Sequence, residues 1–164
     1  MNKHKLLDAY GALEAQIVAS NKVIGQANEL LDDKFRDISL TVDDALVLKK
    51  VAFNLSVWGN QLNLYFVCGD FAKRYRGVEF EDSETRRYAR LYAKGKLDVE
   101  TLCDMVPAST GLCQHVQVSV DNALVGMLLE SERVSVGVEE DTVVLQADGL
   151  QATICPVDAL TDVC

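Results

Sequence analysis

Three runs in the last third of the chain alternate apolar and polar residues with a period of two. Val116, Val118 and Val120 alternate with Gln117 and Ser119. Val134, Val136 and Val138 alternate with Ser135 and Gly137, and Leu150, Ala152 and Ile154 with Gln151 and Thr153. That period puts every apolar side chain of a run on one face of a strand, so these runs demand a sheet with one buried side. Turn signals separate them at Asp121-Asn122, Glu139-Glu140-Asp141 and Asp148-Gly149. Asp148-Gly149 is the two-residue kind that closes a hairpin, here joining TVVLQA to LQATI. ALVGMLLE (123–130) reads as a further, buried strand. Residues 112–157 are therefore expected to form an acidic antiparallel region of four to five strands.

The chain before this region reads as mainly helical over residues 1–106. Leu6, Tyr10, Leu13, Ile17, Ser20, Ile24, Ala27 and Leu31 step by four and three, a heptad-like seam. It predicts one long first helix, packed on its own domain or shared with a second copy. Thr41, followed by Asp43 and Asp44, is a helix-start signal. The next stretch, VAFNLSVWGNQLNLYFVCGD, fits two structures. Val51, Phe53, Leu55 and Val57, then Leu62, Leu64 and Phe66, alternate about Gly59-Asn60 as a hairpin would. Leu48, Val51, Leu55, Trp58, Leu62 and Phe66 also share one helical face. The cap at Thr41 and the lack of Ile and Thr in the run favour the helix. Ser83 and Asp98 start two short helices, the first stopped by Gly95. The expected fold is α+β: a helical N-terminal two thirds packed on a small C-terminal antiparallel sheet. It would form one compact domain or two tightly packed halves, with PASTG (107–111) between them.

A chain of 164 residues, 49% apolar, can bury a proper core, and only 2 prolines and 10 glycines interrupt it. Its net charge of −9 is unevenly spread. Residues 1–72 carry 7 cations and 9 anions, residues 73–96 carry 8 and 4, and residues 97–164 carry 1 and 12. A basic island thus precedes a strongly acidic last third. No run reaches the ~18 apolar residues of a membrane helix, and the N-terminus lacks the apolar core of a signal peptide. These features predict a cytoplasmic protein with reduced cysteines and no membrane partner.

Standard chemistry is missing. Neither GxxxxGK[ST] nor GxGxxG occurs. Cys103, Cys113, His115 and Cys155 are the soft residues from which a zinc site or a Cys–His couple could be built. Cys113-Gln114-His115 is no CxxC knuckle, however, and buried cysteines commonly serve as small hydrophobes. No cofactor, metal or catalytic residue is therefore expected. Paired carboxylates sit beside caps and turns, where acids solvate loops.

The basic island, KRYRGVEFEDSETRRYARLYAKGK (73–96), is the remaining candidate. On a helix Arg86, Arg90 and Lys94 form one stripe with Arg87 beside it, while Tyr88, Leu91 and Tyr92 fall opposite. The tyrosines are thereby predicted to pack inward, not to stack on bases. The helix after Gly95 offers Glu100 and Asp104 and no cation, so a helix-turn-helix reader is excluded by sign. Lys73, Arg74, Arg76, Arg86, Arg87, Arg90 and Lys94 remain as partner- or anion-binding residues. Leu6, Tyr10, Leu13, Ile17, Ile24 and Leu31 remain as a self-association seam. The expectation is a non-enzymatic protein–protein interaction protein that binds a partner or itself. It has the style of a small acidic inhibitor or accessory protein of viral or mobile-element type. A nucleic-acid-binding accessory protein using residues 73–96 is the first alternative, and a small zinc or Cys-dependent enzyme the second.

Overall fold

A computed structural model describes residues 20–156, apart from the side chain of Cys155. Leu6, Tyr10, Leu13 and Ile17 of the seam lie outside this range. Residues 20–34 are helical (α1). Four strands follow in a sheet of order β1-β2-β3-β4: β1 Leu40–Thr41, β2 Leu46–Asn54, β3 Asn60–Cys68 and β4 Cys113–Val120. Between β3 and β4 lie α2 (Phe71–Arg74), α3 (Ser83–Ala93) and α4 (Val99–Met105). After β4 come α5 (Asn122–Glu130) and a second antiparallel sheet, β5 Val134–Glu139, β6 Thr142–Ala147 and β7 Leu150–Pro156.

The expected helical two thirds is thus corrected: strands begin at residue 40, and two sheets replace one. The largest departure is the hairpin of β2 and β3, where the cap at Thr41 had favoured a helix. Its register pairs Val51 with Leu64 and Phe53 with Leu62, and Leu48 lies opposite Phe66. All six side chains are buried. A helix would have buried one stripe and left Phe53 and Leu64 off it, whereas the hairpin buries both alternating sets on one face. The aspartate behind the apparent cap serves a turn instead: Asp43 Oδ1 accepts from the amides of Ala45 (2.7 Å) and Leu46 (2.9 Å).

The second departure is 123–130, which is helix α5 and not a strand. Val125 and Leu128 are buried, and Leu124, Met127 and Leu129 pack beside them, a helical spacing. Asp121 Oδ1 accepts from the amide of Leu124 at 2.8 Å and caps the start. At the other end Lys34 of α1 donates to the carbonyls of Leu129 and Ser131. Asp121→Ala is expected to cost about 1 kcal/mol, read as a lower urea midpoint with unchanged slope.

The four-stranded sheet is covered on both sides, which explains why β3 is buried without a break from Leu62 to Cys68. One face, with Leu62, Leu64, Phe66 and Val116, packs on α1, α5 and the second sheet; Leu31, Phe35, Leu128, Val143 and Leu145 belong to this core. The other face carries Val67 and Cys113, which pack with Phe71, Ala89, Leu102, Val106 and Leu112 under the three helices. β4 continues the sheet directly from the turn at Ala108–Thr110, so residues on both sides of PASTG share one sheet. Asn28 clamps α1 to the end of β2: its Oδ1 accepts from the Leu55 amide (2.9 Å) and its Nδ2 donates to the Leu55 carbonyl (3.3 Å). The turn expected at Asp148-Gly149 joins β6 to β7 with φ of 48° and 87° at the two residues.

One titratable group is linked to this packing. Asp32 Oδ1 accepts from the Phe53 amide at 3.3 Å, yet partial desolvation is the larger effect and holds its carboxyl above the usual range. A carboxyl raised in the folded state contributes stability below its unfolded pKa and loses it as pH rises through the folded value. Asp32→Asn keeps an acceptor for Phe53 and removes the charge. It is expected to raise the urea midpoint relative to the parent near neutral pH, and not in acid below the carboxylate range.

Candidate functional site

Helix α3 carries the centre of the basic island. Asp82, and not the expected Ser83, caps it, its Oδ1 accepting from the Thr85 amide at 2.6 Å, and that bond holds the Asp82 carboxyl below the usual range. Thr85 and Ala89 are buried along the inner face, with Tyr88 and Tyr92 half-buried beside them. Tyr92 meets Phe71 edge-on, with ring centroids 4.8 Å apart, and Phe71 stacks on Tyr75 at 5.9 Å. Burial pushes the Tyr92 hydroxyl upward. These contacts tie α2 to α3 and fix which side of α3 faces out. Gly95 ends the helix in the left-handed region (φ 72°), its amide donating to the Tyr92 carbonyl at 2.9 Å.

The outer face is made by Arg86, Arg87, Arg90 and Lys94, all exposed. Among the described residues the only ion pair joins Lys50 to Glu100, away from this stripe. The acidic last third, whose turns hold Glu139, Glu140, Asp141 and Asp148, therefore supplies no described counter-charge to the stripe. Lys73, Arg74 and Arg76 are exposed on α2 and the turn after it. Arg74 is partly committed inward: Nη1 donates to Cys68 Sγ at 3.5 Å, and its guanidinium lies beside Gly111.

The described seam residues turn to the protein's own core. Leu31 is fully buried, and Ile24 packs against the same cluster. The soft residues separate. Cys103 Sγ donates to the Gln114 carbonyl (3.8 Å), and Cys113 Sγ to the carbonyls of Leu102 (3.9 Å) and Val106 (3.6 Å), so α4 and β4 bring these two thiols together. The adjoining Cys113 thiol, together with burial, pushes the Cys103 thiol well above its ordinary range. His115 is engaged elsewhere: its Nε2 is 2.8 Å from Asn63 Oδ1 and its ring stacks on Tyr65 at 4.6 Å. Burial, and next the charge of Glu100, push the Tyr65 hydroxyl up to about 12. Among the described residues no group of three or more His, Cys, Asp or Glu side chains is placed to hold a metal ion.

One exposed feature escaped the sequence reading. Trp58, which the helical spacing places on a buried face, stands 95% exposed at the tip of the β2–β3 hairpin. Ser56 organises that tip, its Oγ donating to the Gly59 carbonyl at 2.8 Å and accepting from the Gly59 amide at 3.2 Å. The signal was present in Gly59-Asn60, whose turn reading places Trp58 outside the core.

Fold and surface together define an α+β protein of two antiparallel sheets, with four exposed cations, Arg86, Arg87, Arg90 and Lys94, on one helix face. No family model, no curated protein and no solved structure matches the chain. Among the described residues no helix is long and apolar enough to cross a membrane.

Proposed function

We propose that this is a non-enzymatic binding protein that docks an acidic protein surface against the outer face of α3. One observation carries the reading. Arg86, Arg90 and Lys94 hold like charges at helical neighbour positions, exposed and with no described carboxylate against them. Such spacing costs an isolated helix about 0.2–0.5 kcal/mol per pair, a cost that an acidic partner would reverse. The inward turn of Tyr88 and Tyr92 favours a protein over a nucleic acid, because single-stranded binding sites need exposed rings beside the cations. A role as an inhibitor or accessory component in the cytoplasm accords with this surface and with cysteines held as thiols.

The test is capture from a nuclease-treated lysate of the source cells by the tagged full chain. The reading expects an acidic protein to be retained at low ionic strength and released as salt rises. Retention that disappears with nuclease treatment would point to nucleic acid. Retention indifferent to salt would contradict docking through α3.

A further inference from the structure

A second surface, independent of the arginine stripe, lies at the open end of the four-stranded sheet. On the face turned away from the main core, the sheet ends in a polar row of β2, β3 and β4, next to a row in which Asn63 is buried against His115. Ala52, Asn63 and Gln117 share one row, and Asn54, Gln61 and Ser119 the next. α4 covers the sheet only nearer Val67 and Cys113. Beyond these rows the hairpin tip raises Trp58, and a hollow of about 420 Å³ opens among Asn54, Ser56, Trp58, Asn60, Gln61 and Ser119. No charged side chain lines it, although a quarter of the chain is charged.

The amides around the hollow are held by neighbouring elements, Gln61 by β4 and Asn60, on the core-facing side of the strand end, by the start of α5. Gln117 Nε2 donates to Gln61 Oε1 at 2.7 Å, and Asn60 Nδ2 donates to Asn122 Oδ1 at 2.7 Å. Each bond uses one half of an amide. The Gln61 amino group and the Asn60 carbonyl keep their capacity, and the Asn54 side chain has no described hydrogen bond. The hollow therefore offers fixed neutral donors and acceptors beside an apolar indole face that is open to solvent. Trp58, with Val57 beside it exposed to 59%, gives this end of the sheet an apolar surface that faces solvent.

We propose that the hollow is a binding subsite for a neutral saccharide. A pyranose ring presents C–H groups on one face and hydroxyls around its edge. The C–H face fits the Trp58 indole, and the hydroxyls, each both donor and acceptor, fit Asn54, Asn60, Gln61 and Ser119. Charge excludes the main competitors. A nucleic-acid strand or an anionic lipid surface would need cations beside the tryptophan, and the hollow has none.

Trp58 is the chain's single tryptophan, so its emission reports this site alone. The full chain is titrated with neutral oligosaccharides of glucose, N-acetylglucosamine, galactose and mannose. At least one is expected to shift the emission to shorter wavelength, saturating in the millimolar range, roughly 1 mM, and unaffected by salt. Asn54→Ala/Gln61→Ala is expected to weaken that response about tenfold, equivalent to about 1.4 kcal/mol, with an unchanged circular dichroism spectrum. Ser119→Ala, at an exposed side chain that lines the hollow, serves as a second variant if the first fails to fold, and is expected to weaken it several-fold. No shift with any sugar at about 10 mM would overturn the proposal, as would a response undiminished in the variants. An emission change that follows protein concentration without sugar would assign the hollow to a second copy and also overturn it. None of these outcomes bears on the α3 stripe, which is read by salt and not by tryptophan emission.

Discussion

Replacing Arg86, Arg90 and Lys94 together by glutamate is expected to lower affinity for the captured acidic partner at least about a hundredfold. An exposed ion pair contributes about 0.5–1 kcal/mol, and reversal converts attraction into repulsion of similar size. Three such sites total about 3 kcal/mol or more, which is roughly two powers of ten. The reversal also has a cost within the protein, because glutamate in the last turn opposes the helix dipole by about 0.3–1 kcal/mol. Arg86→Gln/Arg90→Gln/Lys94→Gln separates the two effects. Glutamine keeps helix propensity and removes like-charge repulsion, so this variant is expected to unfold no earlier than the parent while binding weakens about tenfold. Surface plasmon resonance at two salt concentrations, beside urea unfolding followed by circular dichroism, measures both quantities.

Phe66→Ala is expected to cost about 3–5 kcal/mol, the largest effect of any single substitution argued for this chain. Phe66 lies in the central strand β3 opposite Leu48 on one neighbour and Gln114 on the other, with no exposed surface. The neighbouring strands cannot close the void without breaking their own pairing, so the cavity persists. Against a typical stability of about 5–15 kcal/mol the variant would be marginal. Val57→Ala, at a side chain 59% exposed in the hairpin tip, is the contrast and should change stability by less than about 0.5 kcal/mol. Comparable losses at both positions would mean that the hairpin register is not the one described.

How much of this was legible depended on whether local pattern and tertiary context agreed. At α3 they did. Asp82, Ser83 and Glu84 open the helix, Gly95 closes it, and the spacing separates Tyr88 and Tyr92 from Arg86, Arg90 and Lys94. The period-two runs in β4, β5 and β7 were legible because one side of each is wet. The β2–β3 hairpin was not, although its alternation is visible, since an apolar run of that length suits either period and the apparent cap at Thr41 favours a helix. α5 failed for the same reason in reverse: its polar signal was a single cap, Asp121, which reads equally well as a turn residue. Trp58 could not be placed until the hairpin was known, because a helix would have buried it.

The central claim is that an acidic protein sits against the outer face of α3, and proximity tests it most directly. A photo-crosslinking side chain is placed at Arg87, on the flank of the stripe, and separately at Gln151, exposed on the second sheet. Both chains are irradiated in nuclease-treated lysate of the source cells at low salt. The account predicts a protein adduct from position 87 that mass spectrometry identifies as acidic, that fades as salt rises, and that is missing from position 151. No adduct at position 87, or the same adduct at both positions, would contradict it.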